Sequence, residues 1–440
     1  MPSPNRNAGK RIVMTTYGSL GDVYPYLAIA RELQARGHYP AIAMSESFRH
    51  KIEAEGIEFY PIRPDLSLCL QQQDWEWIDV LRESQREIEN DISYNLMPHL
   101  RSTYIDLKQV IQNADLLITH PLSFAGVLAA KTTEIPWIST VLSPASLMSA
   151  YDFPSEPHFP HSTYENALKL VANDSLLRLS HWRARYWSAP VRQFRAELGL
   201  EPGCDPIFEG QHSPDLVLAL FSSLLASPQL DWPSQTCITG FPFYEPSTTQ
   251  SLSPELQHFL DTAKTLIVFT LGSSFVWTPG NFYLEGAKAV KSLGFQAVLL
   301  MGQNVAGIPP NKLPPGIIAV DYIPHSKIFP FATAIVHHGG IGTTGQALRS
   351  GRPMLVVPFA HDQPDNAARL ARLGVGRTIP HQEYTAERVA SELKELLSKP
   401  GYATRAAEVS KLMELEDGSK TACSLIEAYY QWTRHEKKPL

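Results

Sequence analysis

Residues 334–345, "AIVHHGGIGTTG", join a short apolar run to two histidines, four glycines and two threonines. A zinc site, a phosphate cradle and a plain tight turn all draw on such residues. Glycines let the backbone approach a ligand closely, and a helix start offers free N–H groups with a partial positive charge. With the hydroxyls of Thr343 and Thr344 added, strand, glycine turn and helix describe a diphosphate cradle in which one histidine of the pair donates to a phosphate oxygen. Zinc is the weaker reading, because neighbouring strand residues project to opposite sides and no third ligand follows nearby.

Three further stretches carry candidate chemistry. "YGSLGDVYP" at 17–25 fails as a dinucleotide fingerprint, because Leu20 stands where a GxGxxG motif needs glycine. What remains is Asp22, where the turn enters a helix, and two roles are open to it: a capping carboxylate, or a general base at the rim of a cleft. "VFTLGSS" ends in Gly272, Ser273 and Ser274, three potential donors after a strand. "PFAHDQPDNA" places Asp362 beside Gln363, an acceptor pair and an amide suited to vicinal sugar hydroxyls. Beside a diphosphate cradle, that pair points to a sugar nucleotide.

These turns need a scaffold, and the pattern supplies one. "RIVMTT" reads as a strand and "YLAIARELQARGH" as a helix with Leu27, Ala30 and Leu33 on one face, Pro25 in its first turn and Gly37 at its stop. "PAIAMS", "IEFYPI", "ADLLITH" and "IPWISTVLS" continue the strands, and after residue 260 a second alternation begins with "LIVFTLGSS" and runs to "PMLVVPFA". Strands alternating with helices predict parallel sheets covered on both faces, so the expected class is α/β with two doubly wound, Rossmann-like domains. Residues 226–254, with five prolines, read as a stiff linker between them. Aromatic-rich helical insertions at 70–110 and 160–200 interrupt the first alternation.

At 440 residues and 44% hydrophobic content the chain has material for two cores. Thirty-eight basic against 44 acidic groups, a formal −6, offer no field for nucleic acid. Cys69, Cys204, Cys237 and Cys423 form no CxxC pair, which fits a reducing compartment. With no apolar signal core near Met1 and no run of eighteen apolar residues, the expected location is cytoplasmic. The stretch "RLSHWRARYWSAPVRQFR" adds five arginines to its aromatics and leaves peripheral contact with anionic lipid open, although a solvated helix face is the simpler reading.

Taken together, these residues resemble the inverting two-domain glycosyltransferases of the GT-B fold, the family that includes plant flavonoid and bacterial natural-product transferases. "GSLGDVYPYLAIARELQARGH", "LDWPSQTCITGFPFYE", "GNFY" and "FAHDQPDNAARLARLG" look most like bacterial rhamnosyltransferases of the rhamnolipid type, while "HHGGIGTTGQALRSGRP" is equally similar to macrolide and sterol glycosyltransferases. The resemblance implies an N-terminal acceptor-binding domain (1–225), the linker (226–254), a nucleotide-sugar domain (255–418) facing it across a cleft, and a last helix (419–440) crossing back. His338, Gly340, Gly342 and Thr343, with Ser273 and Ser274 from the neighbouring loop, would bind the diphosphate. Tyr322 and Ile323 occupy the nucleobase position, His325 stands where plant members have glutamine, and Asp362 and Gln363 would hold the sugar.

Two departures shape the expectation. Asp22 aligns where plant members place a basic histidine, as in the antibiotic and sterol branches. Gln346 replaces a glutamate for both ribose hydroxyls, which mildly favours deoxythymidine over uridine. His120 lies close to where plant members place the carboxylate that orients their base; it could pair with Asp22, act as base itself, or only satisfy a backbone carbonyl. The implied reaction is metal-independent, inverting O-glycosyl transfer of a hexose from dTDP-rhamnose or UDP-glucose. Trp137, Leu147, Met148, Tyr151, Phe153 and Phe159 suggest a lipophilic acceptor such as a flavonoid or a hydroxy-fatty-acid lipid. A non-catalytic sugar-nucleotide-binding subunit is the rival from another class.

Overall fold

The computed structural model describes residues 9–65, 88–154, 167–246, 252–275, 279–302 and 313–436. Seven parallel strands, β1 (Arg11–Thr15), β2 (Tyr39–Met44), β3 (Glu58–Pro61), β4 (Leu116–Thr119), β5 (Trp137–Val141), β6 (Val217–Ala219) and β7 (Thr236–Ile238), form a first sheet in the order β3-β2-β1-β4-β5-β6-β7. Six more, β8 (Leu266–Thr270), β9 (Gln296–Leu300), β10 (Ile317–Val320), β11 (Ala334–His337), β12 (Met354–Val356) and β13 (Gly376–Thr378), form a second in the order β10-β9-β8-β11-β12-β13. Both follow the doubly wound order, in which the chain turns back beside the first strand and leaves a crevice at the strands' C-terminal ends. Those crevices open between β1 and β4 and between β8 and β11.

The strands bury both faces, so successive residues enter different cores. Along β1, Ile12 and Met14 join one apolar cluster and Val13 another; along β8, Leu266 and Val268 face one side and Ile267 and Phe269 the other. The last helix, Gly418–Glu436, leaves the second sheet and inserts Ala422, Cys423, Ile426 and Tyr429 into the first domain's core against the helix Leu20–Ala35. Arg36 and His38 both reach Glu427, at 2.8 and 3.1 Å, and fix that return.

Two expectations change. The proline-rich stretch is not linker throughout: Thr236–Ile238 pairs with β6 as the edge strand β7, a position that tolerates flanking prolines because one side needs no partner. Phe221, Trp232 and Phe241, around that strand, join a core shared with Val268 and Ile335 of the second sheet. The first helix also begins at Leu20, so Pro25 lies in its second turn and not its first. Of the insertions, Ile88–Asn113 and Ala167–Glu197 are largely helical, and Trp75, Trp77 and Phe159 lie outside the described residues.

Candidate active site

At the first crevice, Ser19 is the N-cap of the helix Leu20–Ala35 and Asp22 its third residue. Ser19 donates its N–H to Asp22 Oδ2 at 2.8 Å while Gly21 N–H donates to Ser19 Oγ at 3.3 Å, a closed capping box. Gly18, at φ +124, leaves the space this carboxylate needs, since a β carbon there would stand 2.3 Å from Asp22 Oδ2. The other oxygen, Oδ1, lies 3.4 Å from His120 Nε2, at the end of β4. Leu122 N–H donates to His120 Nδ1 at 3.1 Å, which puts the proton of the neutral ring on Nε2, facing Asp22. Both nitrogens of His120 are engaged, whereas Asp22 keeps 30% of its side chain exposed, with a lone pair of Oδ1 available to the cleft.

At the second crevice, β11 ends in His337 with His338 next in the turn, and the helix Ile341–Arg349 begins after Gly340 with no side chain capping it. Its first N–H groups therefore keep their partial positive charge for a ligand. His338 fills the space two glycines leave: a β carbon on Gly340 would lie 2.3 Å from its Nε2, and one on Gly272 2.6 Å from its Cε1. Burial, reinforced by nearby His325, pushes His338 down to about 3, so it is a neutral N–H donor at physiological pH. His337 turns away into the core; its Nδ1 accepts from Gly339 N–H at 3.1 Å and its ring stands at 86° to that of His338. The pair does not converge as zinc ligands would.

Around this turn, Thr343 is buried beside Gly272, Thr344 donates its hydroxyl to Gly339 O at 3.3 Å, and Gly342 approaches the first domain, a β carbon there lying 3.8 Å from Gly21 Cα. The two helix starts thus face each other across the cleft. Ser273 flanks the turn in the short helix Gly272–Phe275, while the side chain of Ser274 lies outside the described residues. Gln346 Oε1 is buried and has no hydrogen-bond partner among the described residues, an acceptor held open. Ile323 is core; Tyr322, 57% exposed, lies beside Tyr24 of the first domain. His325 stacks on Phe329 at 4.4 Å and is pushed down to about 4 by burial.

The loop that carries Asp362 and Gln363 follows β12. Gln363 Oε1 accepts from Phe359 N–H and Ala360 N–H at 2.8 and 3.2 Å, so its carbonyl end shapes the loop and only its amide nitrogen is left to offer. Asp362 Oδ2 accepts from Asn366 Nδ2 at 2.8 Å. Enclosure by the cleft, and then the charge of Asp22 opposite, push Asp362 up to about 7, although an edge of the residue still meets solvent. Asn366 escaped the sequence reading: it also donates to Gly339 O at 2.9 Å and so ties the Asp362 loop to the glycine turn after β11. Its spacing, four residues after Asp362 on one helix face, was the available signal. His361, at φ +58 and within electrostatic reach of Asp22 and Asp91, left no such signal.

On the acceptor side, Trp137 and Leu147 are buried in the core, so packing explains them, whereas Met148 and Tyr151 are exposed. A cavity of about 40 Å³ opens between the ends of β1 and β4, lined among others by Thr16, Tyr17, Leu96, Leu100, Leu122 and Phe124. Asp152, after β5, pairs with Arg369 and with Arg372, the latter at 3.1 Å, and so clamps this side to the helix Gln363–Arg372.

Fold and site together define a two-domain glycosyltransferase of the GT-B class. The glycosyltransferase family 28 N-terminal domain matches residues 12–137, and the erythromycin biosynthesis protein CIII-like C-terminal domain matches residues 298–419. The O-mycaminosyltylonolide 6-deoxyallosyltransferase of Streptomyces fradiae is 30% identical over 95% of this chain and 97% of its own length. The chain belongs to the natural-product glycosyltransferase family of the GT-B fold. The sterol 3-beta-glucosyltransferase of Saccharomyces cerevisiae is 28% identical over 97% of this chain, which spans 36% of that protein's length. Among solved structures, the glycotransferase of kitacinnamycin superposes with a TM-score of 0.71 over 96% of this chain and 99% of its own, at 23% identity. The spinosyn rhamnosyltransferase SpnG complexed with thymidine diphosphate reaches 0.64 over 94% and 99%, at 16% identity; likenesses this remote carry the fold alone.

Proposed function

We propose that the protein transfers a hexose, rhamnose in first place, from a nucleotide-diphosphate sugar to a hydroxyl of a lipophilic acceptor, with inversion. The observation that carries this reading is the opposition across one cleft of a carboxylate engaged by histidine, Asp22, and an uncapped helix start beside a neutral histidine, His338. In a single displacement the acceptor oxygen bonds to the anomeric carbon as its proton passes to Asp22 Oδ1. The anomeric C–O bond breaks and its electron pair leaves with the diphosphate. A carboxylate is a weak base towards an alcohol, so proton transfer is late and leaving-group stabilisation provides much of the rate. The helix start, His338 and Ser273 are assigned that role in place of a divalent metal.

Asp362, held up to about 7 and so still partly protonated at neutral pH, can donate to one sugar hydroxyl and accept from another. Gln346 Oε1, a buried acceptor, can take a hydrogen bond from a single ribose 3′-hydroxyl, which supports dTDP over UDP. Glucosyl transfer from UDP-glucose to a sterol-like acceptor is the second reading, favoured by similarity to the yeast sterol enzyme along nearly the whole chain.

A thermal-shift titration with dTDP, UDP and GDP, without added metal, tests the donor. Ligand at a hundredfold over its dissociation constant stabilises by about 2.7 kcal/mol. A larger shift with dTDP is expected and directs turnover assays to dTDP-rhamnose with flavonoid and hydroxy-fatty-acid acceptors. A larger shift with UDP moves the assignment to glucosyl transfer, and no shift with any of the three overturns the cradle.

A further inference from the structure

We propose that the helix Ala167–Trp187 docks the protein onto an anionic lipid surface. The residues this helix turns inward include Asn173, which donates to Ala150 O at 2.8 Å, and Ala184, whereas Val171, Leu179, Trp182 and Tyr186 are 63, 52, 55 and 70% exposed. Positions 171, 179, 182 and 186 fall within one quarter of the helix circumference and run about 22 Å along it. Leu179, Trp182 and Tyr186 follow one another at i+3 and i+4 spacing, with Trp182 and Tyr186 edge to face at 5.8 Å; a soluble surface scatters large apolar groups singly, so such a cluster marks a contact.

The chemistry selects the occupant. Lys169, Arg178, Arg183 and Arg185 stand against a single acid, Asp174, on this helix, in a chain that is net acidic overall at −6. Arg178 and Arg183 make ion pairs with Asp174 and Glu89 at 2.8 and 3.1 Å, but both guanidinium groups remain largely exposed, at 81 and 60%. Exposed pairs of that kind hold an arginine weakly and leave it available to phosphate. Tryptophan and tyrosine favour the level of lipid headgroups, and arginine lays its stem along an apolar surface while its head reaches out. A second copy of the chain fits less well, because a twofold contact along this stripe would set arginine against arginine at its centre, where interfaces are depleted of charge. Among the described residues no helix is long and apolar enough to cross a membrane, so the contact is peripheral. It presents the first domain to the bilayer and does not depend on which sugar or acceptor the enzyme uses.

The test is co-sedimentation of the full chain with vesicles of phosphatidylcholine alone or mixed with phosphatidylglycerol, at low and high salt. Binding to the anionic vesicles about tenfold tighter than to the neutral ones, and lost at high salt, is expected. Trp182→Ser with Tyr186→Ser, and separately Arg178→Gln with Arg185→Gln, should each abolish that preference while leaving the thermal midpoint and turnover of a water-soluble acceptor unchanged. Equal sedimentation with both vesicle types, or variants that bind like the parent, would overturn the proposal. So would a stripe that instead mediates self-association, seen as a dimer in light scattering that the serine variant converts to monomer without any vesicle binding.

Discussion

The two glycine turns of this protein share a local plan and use it in opposite ways. Each leaves a strand that borders the crevice of a parallel sheet, β1 in the first and β11 in the second, and opens a helix into the same cleft. In the first, Ser19 and Asp22 close a capping box, so the chain's own carboxylate takes the positive end of the helix Leu20–Ala35. In the second, Gly340 caps nothing, and the helix Ile341–Arg349 keeps its N–H groups for a charge that is not part of the chain. One helix start holds an anion in place; the other is built to receive one. A displacement reaction needs both, a base that stays and a leaving group that goes.

That contrast fails most directly at Asp22. Asn still accepts the Ser19 N–H, so Asp22→Asn should fold normally, leave the donor KM near its parent value and lower kcat by about 10²- to 10⁴-fold. Near-parental turnover in a steady-state assay would mean that the first turn is only a cap. A matched pair of alanines sharpens the comparison further. A β carbon on Gly340 collides with His338 Nε2 and one on Gly18 with Asp22 Oδ2, each at 2.3 Å. Gly340→Ala should weaken dTDP binding by about tenfold or more in calorimetry. Gly18→Ala should leave that binding intact and cut kcat by about a hundredfold, the effect of an ångström's misplacement.

His120 is expected to matter less, because it orients Asp22 and does not replace it. His120→Gln keeps a donor towards Oδ1 and should lose about tenfold or less in kcat, whereas a loss in His120→Ala equal to that of Asp22→Asn would transfer the base to the histidine. The smallest effect concerns stability. Asp362 is held up to about 7 against an ordinary 3.8, so between those values the folded chain keeps a proton that the unfolded chain releases. Its stabilising contribution is present below pH 4 and is lost as pH rises towards and through 7. The thermal midpoint of the parent relative to Asp362→Asn should therefore fall over that range, and a flat difference would place Asp362 in open solvent.

Much of this was legible in advance because the signals were local. Strand runs, glycine turns and helix starts are set by neighbours in the chain, and they single out Asp22, the histidine pair and Asp362 as candidates; the family resemblance chose His338 of the pair. The edge strand Thr236–Ile238 was hidden because its prolines read as linker, and only its pairing with Val217–Ala219 makes it a strand. Asn366 was passed over because its partners are the carbonyl of Gly339, 27 residues away, and the carboxylate of Asp362, a junction visible only once the two loops meet. Gln363 shows the converse: its type suggested a sugar ligand, yet its carbonyl is spent on Phe359 and Ala360.

From composition and periodicity alone the chain is a two-domain parallel α/β protein with a diphosphate-type turn in its second half, because apolar spacing and glycine placement determine which segments become strands and which turns stay open. Tertiary structure alone decided what faces what. It set the neutral tautomer of His120 towards Asp22, brought Asp22 opposite Asp362 and raised the pKa of the latter, and turned an apolar, arginine-flanked stripe outward. Burial and charge proximity depend on segments distant in the chain, and no local pattern encodes the distance between them.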